Sequence, residues 1–210
     1  MRANPVSGRR ERKKRETRDR LLSAALELFV ERGYAETSMD DVAAKCDVAR
    51  ATVFNYFTHK EDLLTAWIET RRTLARQVLA DSSAETATTK RLRNALMALC
   101  ESHEHEAPAS RALVRCWLRC GGPLLERASD TAIILRAVVE AGRKRGDVRR
   151  DLDADVAARA LLDLYLGALY RWAADEERDA SSLTRDLSTA LAPFLRGIEP
   201  AATPKPRRKS

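Results

Sequence analysis

The stretch SMDDVAAKCDVARATVFNYFTHK, Ser38 to Lys60, constrains this chain more than any other: two short amphipathic helical patterns touch through a tight turn. In the first pattern Met39, Val42, Ala43 and Cys46 recur at i, i+3, i+4 and i+7, the spacing of one buried helical face. Thr37 and Ser38, with Asp40 and Asp41 three residues after each, supply a start signal of the capping-box type, with Asp in place of Glu or Gln. After the Asp47-Val48-Ala49 turn, the second pattern buries Val48, Val53 and Phe57 and leaves Arg50, Ala51, Thr52, Phe54 and Asn55 outside. A helix enters the major groove of DNA only if its outer side carries small or hydrogen-bonding groups, with charge nearby for the phosphates. The spacing therefore predicts a helix-turn-helix. Upstream, Leu22, Ala25, Leu26 and Phe29 repeat the helical spacing across Arg18 to Arg32, and Gly33 stands where a left-handed C-cap would end that helix.

Taken together, ALELFVERGY and TSMDDVAAKCDVARATVFNYFTHKEDLL resemble the DNA-binding domain of the TetR (tetracycline repressor) family of bacterial regulators. The resemblance covers the first quarter to third of the chain; the remainder matches in architecture alone. Carried over position by position, it implies that Arg50, Ala51, Thr52 and Phe54 face base edges and that Asn55, Tyr56 and Lys60 face the DNA backbone. An arginine fork on guanine O6 and N7 is worth about 1–3 kcal/mol of discrimination, which makes Arg50 the leading specificity residue. Lys60 would supply phosphate charge, and Thr37 and Ser38 a helix N-terminus for phosphate. Family members usually carry Gly or Pro where this chain has Ala51, and Tyr where it has Phe54, which donates no hydroxyl hydrogen bond.

The chain is long enough, at 210 residues, for one large domain or two small ones, and the head takes only its first quarter. Of the formal charge of +7, residues 1–20 hold nine basic against three acidic side chains, and Lys205, Arg207, Arg208 and Lys209 extend the excess at the other end. The body between these ends is net acidic. Arg9 to Arg15 reads as an arm for the DNA backbone or a minor groove, with a solubility tail as the alternative. The expected division is a disordered basic arm over 1–17, a helix-turn-helix domain over 18–60, a helical ligand-binding and dimerisation domain over 61–198, and a disordered basic tail over 199–210. The charged N-terminus offers no export signal, the most apolar stretch is interrupted by Arg159, Asp163 and Arg171, and the four cysteines show no disulfide framework. A cytoplasmic protein without a cofactor is expected, and no glycine-rich nucleotide motif is present.

From Glu61 onward helical periodicity predicts helices at Lys60 to Ala80, Thr88 to Glu104, Ser110 to Cys120, Leu124 to Arg145, Asp153 to Ala174 and Ser181 to Arg196. Breaks fall at Asp81-Ser82-Ser83, Ala107-Pro108, Gly121-Gly122-Pro123, Gly146-Asp147 and Asp179 to Ser182. The fold class is all-α. Between Val156 and Trp172, Ala157, Ala160, Leu161, Leu164 and Ala168 occupy one face and Leu162, Leu166 and Leu169 another. Leu183, Leu187, Leu191 and Phe194 stripe the last helix. A helix apolar on two sides needs cover on both, so these helices are expected to pair with a second subunit, with burial inside one subunit as the alternative. The resemblance further implies an effector pocket, for which Met97, Leu113, Trp117, Leu135, Tyr165 and Leu169 are candidates, and a homodimer that represses from a palindromic operator until a small molecule releases it.

Three other readings compete. Cys100, His103 and His105 near one helix end, with Cys116 and Cys120 on the next, could make a metal- or thiol-sensing regulator, although the spacing matches no closed zinc motif and no metal ligand set is assigned. An enzyme could use Cys116 as nucleophile with His103 or His105 as base, but no oxyanion donor or third orienting residue accompanies them. A non-specific DNA-coating protein would suit the basic ends but not the recognition helix.

Overall fold

The structure is a computed structural model that describes residues 5–83, 85–119 and 124–200, all helix, turn or coil with no strand among them. The helices are α1 (Pro5–Glu31), α2 (Met39–Lys45), α3 (Arg50–Phe54), α4 (Lys60–Asp81), α5 (Thr88–His105), α6 (Ala107–Arg119), α7 (Leu124–Arg145), α8 (Ala154–Ala174) and α9 (Ser182–Ile198).

The head forms where the apolar spacing requires it. Leu22, Ala25 and Phe29 of α1 are buried in one cluster with Val42 and Ala43 of α2, Val53 of α3 and Phe57, with Leu26, Met39, Cys46 and Val48 at its edge. Gly33 ends α1 at φ 89°, its N–H donating to Phe29 O at 3.1 Å. The turn between α2 and α3 is a Schellman motif: Val48 N–H donates to Ala43 O at 3.0 Å and Asp47 N–H to Ala44 O at 3.1 Å. Its left-handed position is Asp47, with φ 51°, where glycine would be unstrained. Lys45 pins α2 to α1 through Glu27 at 2.9 Å and Glu31 at 3.0 Å.

The N-terminal arm differs from the reading of residues 1–17 as disordered, because α1 runs back to Pro5. The segment is rich in Arg, Lys and Glu, which favour helix, Pro5 occupies a first-turn position, and an Arg12–Glu16 pair at 3.5 Å spans one turn. Residues 1–4, the tail segment 201–210 and the Gly121-Gly122-Pro123 break lie outside the described residues.

In the body α4 packs on α5, α7 on α8, and α8 on α6 and α9, while α6 also packs on α1 and α5 on α9. The break expected at Ala107-Pro108 falls one residue earlier, at Glu106, the C-cap of α5. Pro108 sits in the first turn of α6, where its missing N–H has no intrahelical partner to lose. The stripe on α9 also differs from its assignment to a partner subunit. Leu183, Leu187 and Leu191 are buried inside this chain, because α9 lies across α5 and α8, and Phe194 alone of the four is half-buried. On α8 Leu161, Leu162 and Leu169 are buried, and Ala160, Leu164 and Leu166 are partly so. No helix among the described residues is long and apolar enough to cross a membrane.

Candidate nucleic-acid interface and ligand cavity

On the outer side of α3, Ala51 and Asn55 are exposed, Thr52 and Tyr56 are half-buried, and Phe54 is 38% exposed. Arg50 lies across this face. Its guanidinium sits 5.2 Å from the Phe54 ring centre and its Nη1 lies 3.1 Å from Asp40 of α2, with 68% of the side chain exposed. An exposed pair of this kind holds about 0–1 kcal/mol, so Arg50 can exchange Asp40 for another acceptor at small cost.

Thr37, Ser38 and Lys60 all make hydrogen bonds within the head. Thr37 is buried and its hydroxyl donates to Gly33 O at 2.9 Å. The Ser38 hydroxyl donates to the Asp41 carboxylate at 2.5 Å and accepts from Asp41 N–H at 3.1 Å, while Ser38 N–H donates to the same carboxylate at 2.8 Å. The Ser38 hydroxyl is thus spent on the α2 cap and the Thr37 hydroxyl on the turn that follows α1. Lys60 sends Nζ to Tyr34 O at 2.6 Å, Thr37 O at 2.8 Å and Ala35 O at 3.2 Å, beneath the Tyr34 ring at 4.3 Å. An ammonium has three hydrogens, and all three meet carbonyls of the α1–α2 connection, so Lys60 clasps the head from within.

Within the body α4, α5, α7 and α8 enclose a cavity, with Trp117 of α6 at one end. The cavity is narrow, about 60 Å³, a slot rather than a chamber. Of the candidates from sequence, Trp117, Leu135, Tyr165 and Leu169 line it. Met97 is half-buried elsewhere on α5, and Leu113 lines a separate surface cleft beside Phe29 and Tyr34. The apolar walls are Leu96, Leu99, Leu162 and Leu166 with Leu135 and Leu169.

The polar lining was missed by sequence reading. Arg71 and Arg72 keep only 8% and 4% of their side chains exposed. Arg71 stacks on Trp67 at 3.9 Å and donates to Glu106 at 2.7 Å; burial pulls its guanidinium below its ordinary pKa, and Glu106 opposes that. Arg72 reaches Asp130 at 3.2 Å and Thr131 Oγ1 at 3.3 Å. His103 is bonded at both ring nitrogens, Nδ1 to Ser110 at 3.2 Å and Nε2 to the Tyr165 hydroxyl at 2.8 Å. Burial, with Arg71 nearby, holds it well below the ordinary histidine pKa and therefore neutral. The available signal was the pair of arginines inside the apolar pattern Trp67, Ala75, Leu79, which a solvated helix face would not explain.

Among the described residues the Cys/His cluster forms no metal site. Cys100 and His103 are buried, Cys116 is half-buried, His105 is exposed, and Cys120 lies outside the described residues. Among the described residues no group of three or more His, Cys, Asp or Glu side chains could hold a metal ion. Burial, reinforced by Glu104 and Glu101, pushes the Cys100 thiol far above its ordinary pKa, and both ring nitrogens of His103 are taken by Ser110 and Tyr165.

A helix-turn-helix with a solvent-facing second helix, carried on an all-α body with an internal cavity, defines a DNA-binding transcriptional regulator. Residues 21–67 match the family described as bacterial regulatory proteins, tetR family. Over 194 residues the chain is 30% identical to the HTH-type transcriptional regulator UidR of Escherichia coli (strain K12), a span that covers 87% of this chain and 92% of UidR. The chain belongs to the tetR family. Its fold is similar to that of Thermus thermophilus FadR, a transcriptional repressor of the same family solved with lauroyl-CoA, at a TM-score of 0.61 and 28% identity over 90% of this chain and 98% of FadR. A structure described under the control of antibiotic production by bacterial hormones matches at a TM-score of 0.71 and 20% identity, over 88% of this chain and 98% of that one, a likeness of fold.

Proposed function

We propose that this regulator is a cytoplasmic, non-catalytic homodimeric repressor that reads a palindromic operator through α3 and leaves it when a small molecule enters the cavity in the body. In this reading residues 18–60 are the DNA-binding unit and 61–198 the ligand-binding and dimerisation unit. The observation that carries it is the outer face of α3: Arg50 exposed and weakly held, with Ala51, Thr52 and Phe54 beside it for base edges and Asn55 and Tyr56 for the backbone. The arginines of α1 between Arg9 and Arg15 are solvent-exposed and add phosphate contacts. One α3 reads only a few base pairs, and a two-fold pair reads a palindrome. The half-buried Leu164 and Phe194, with the small residues Ala160 and Gly167, are the parts of α8 and α9 left for a partner subunit.

The coupling of cavity to head runs along α4. One end of this helix clasps the α1–α2 connection through Lys60, and its middle lines the cavity with Trp67, Arg71 and Arg72. A ligand that prefers one position of α4 prefers one separation of the two heads, and it lowers DNA affinity by that difference in binding energy. The deciding experiment is selection of randomised duplex DNA by the purified protein, followed by salt titration of the selected site against a scramble. A palindrome bound orders of magnitude more tightly than the scramble is expected. Equal affinity for both would replace this reading by a non-specific DNA-coating protein.

A further inference from the structure

The polar atoms that line the cavity are unequal in kind. Trp67 Nε1, Trp117 Nε1 and Arg71 Nε are buried and have no hydrogen-bond partner, and the residues that carry them all line the cavity. The two indoles pack edge to face at 6.4 Å, and the Arg71 guanidinium stacks 3.9 Å from Trp67, so the three side chains form one cluster in the lining. Indole and guanidinium groups donate and do not accept. The hydroxyls nearby have other partners: Ser110 meets His103 and Arg71 Nη2, Tyr165 meets His103 and Thr131 meets Arg72, and none of them meets these three nitrogens.

The charges divide in the same direction. Arg71 and Arg72 are buried, whereas their carboxylate partners Glu106, Glu69 and Asp130 keep 48%, 45% and 51% of their side chains exposed. The cations face inward and the anions stand at the rim, where water can take them over. What complements these donors is an acceptor-rich anion, and what complements the leucines that share the lining, Leu96, Leu99, Leu135, Leu162 and Leu169, is an apolar body.

We propose that the effector is an amphipathic anion of the carboxylate type, its head held by Arg71 and the indole N–H groups of Trp67 and Trp117, and its apolar body laid among the leucines of α5, α7 and α8. The inference rests on the reading of this cavity as the effector site. Entry of the anion takes Arg71 from Glu106, the residue that caps α5 and precedes α6. The contact broken is therefore the one that ties α4 to the start of α6, the helix packed against α1.

The test uses the full-length protein and two matched probe pairs at neutral pH, decanoate with 1-decanol and 2-naphthoate with 2-naphthalenemethanol. Binding is read by tryptophan fluorescence and by the shift in melting temperature. The carboxylate of at least one pair is expected to bind ten-fold or more tightly than its alcohol. Glu106→Gln, a rim change that leaves the core intact, is expected to tighten the carboxylate several-fold and leave the alcohol unmoved. Arg71→Gln is expected to bring the carboxylate down to the affinity of its alcohol. Alcohols that bind as well as carboxylates, or a carboxylate preference indifferent to both substitutions, overturn the anion while leaving the cavity as a binding site. Failure of all four probes to bind overturns the cavity reading and the inference with it.

Discussion

Arg50 in the head and Arg71 in the body are both arginines on short-range carboxylate partners, yet one lies in solvent against Asp40 and the other is buried against Glu106 and stacked on Trp67. The surface pair contributes little and can be exchanged, which suits the base contact proposed for Arg50. The buried one lies among donors with no partner, each costing about 1–3 kcal/mol relative to a satisfied group. A core built for stability alone would carry a leucine there. The head, in turn, hides its own structural cation in plain view: Lys60 sits at the surface end of α4 but spends every hydrogen on carbonyls. Position on a motif and exposure are therefore poor guides to a charged residue's role; the partners decide it.

The contrast breaks most visibly at Lys60. Lys60→Met is expected to destabilise the protein by about 2–3 kcal/mol, because three carbonyls lose a charged donor, while the salt dependence of DNA binding by the folded fraction stays unchanged. Chemical denaturation and a salt titration of operator binding check it, and a salt slope shallower by one phosphate would return Lys60 to the DNA contact. Arg50→Ala is expected to do the reverse: a loss of about 1–3 kcal/mol of preference at one base position of the operator, with no change in melting temperature. Competition between operator variants measures it.

The body is sharpened by pH. His103 is neutral and buried, with its folded pKa well below the ordinary 6.5, so the unfolded chain takes up a proton that the folded chain refuses. Its contribution to stability is complete above pH 6.5 and declines as pH falls toward the folded pKa, at up to about 1.4 kcal/mol per unit. His103→Gln, which keeps a hydrogen-bonding side chain between Ser110 and Tyr165, is expected to flatten that decline in urea titrations between pH 7 and 5. The smallest effect is expected at Asp47→Gly, a gain of about 1 kcal/mol from relief of the left-handed backbone, seen as a rise in denaturation midpoint with operator affinity unaltered.

The helix-turn-helix was legible because its signals are local: the apolar spacing of Met39, Val42, Ala43 and Cys46, the Ser38–Asp41 cap and the Gly33 stop each lie within a turn or two of what they control. The helices of the body were legible for the same reason, with the start of α8 set by Asp153 and the end of α7 by Gly146. Misreadings came where the signal depended on a partner far along the chain. The stripe on α9 looked like a subunit interface because periodicity tells that a face is covered and not by what; α5 and α8 cover it. Met97 and Leu113 looked like cavity residues because apolar side chains on neighbouring helices cannot be ranked by sequence.

The sequence by itself determined an all-α chain with a capped helix-turn-helix, a left-handed stop at Gly33 and a turn through Asp47, since backbone hydrogen bonds and caps close over three to five residues. Only the tertiary structure decided which polar groups meet. Arg71 finds Glu106 35 residues away, His103 finds Tyr165 62 residues away, and Lys60 reaches back 26 residues to Tyr34. Those pairings follow from how helices cross once their apolar faces are buried, and they make Lys60 a clasp within the head and Arg71 and Arg72 buried cations in the cavity lining.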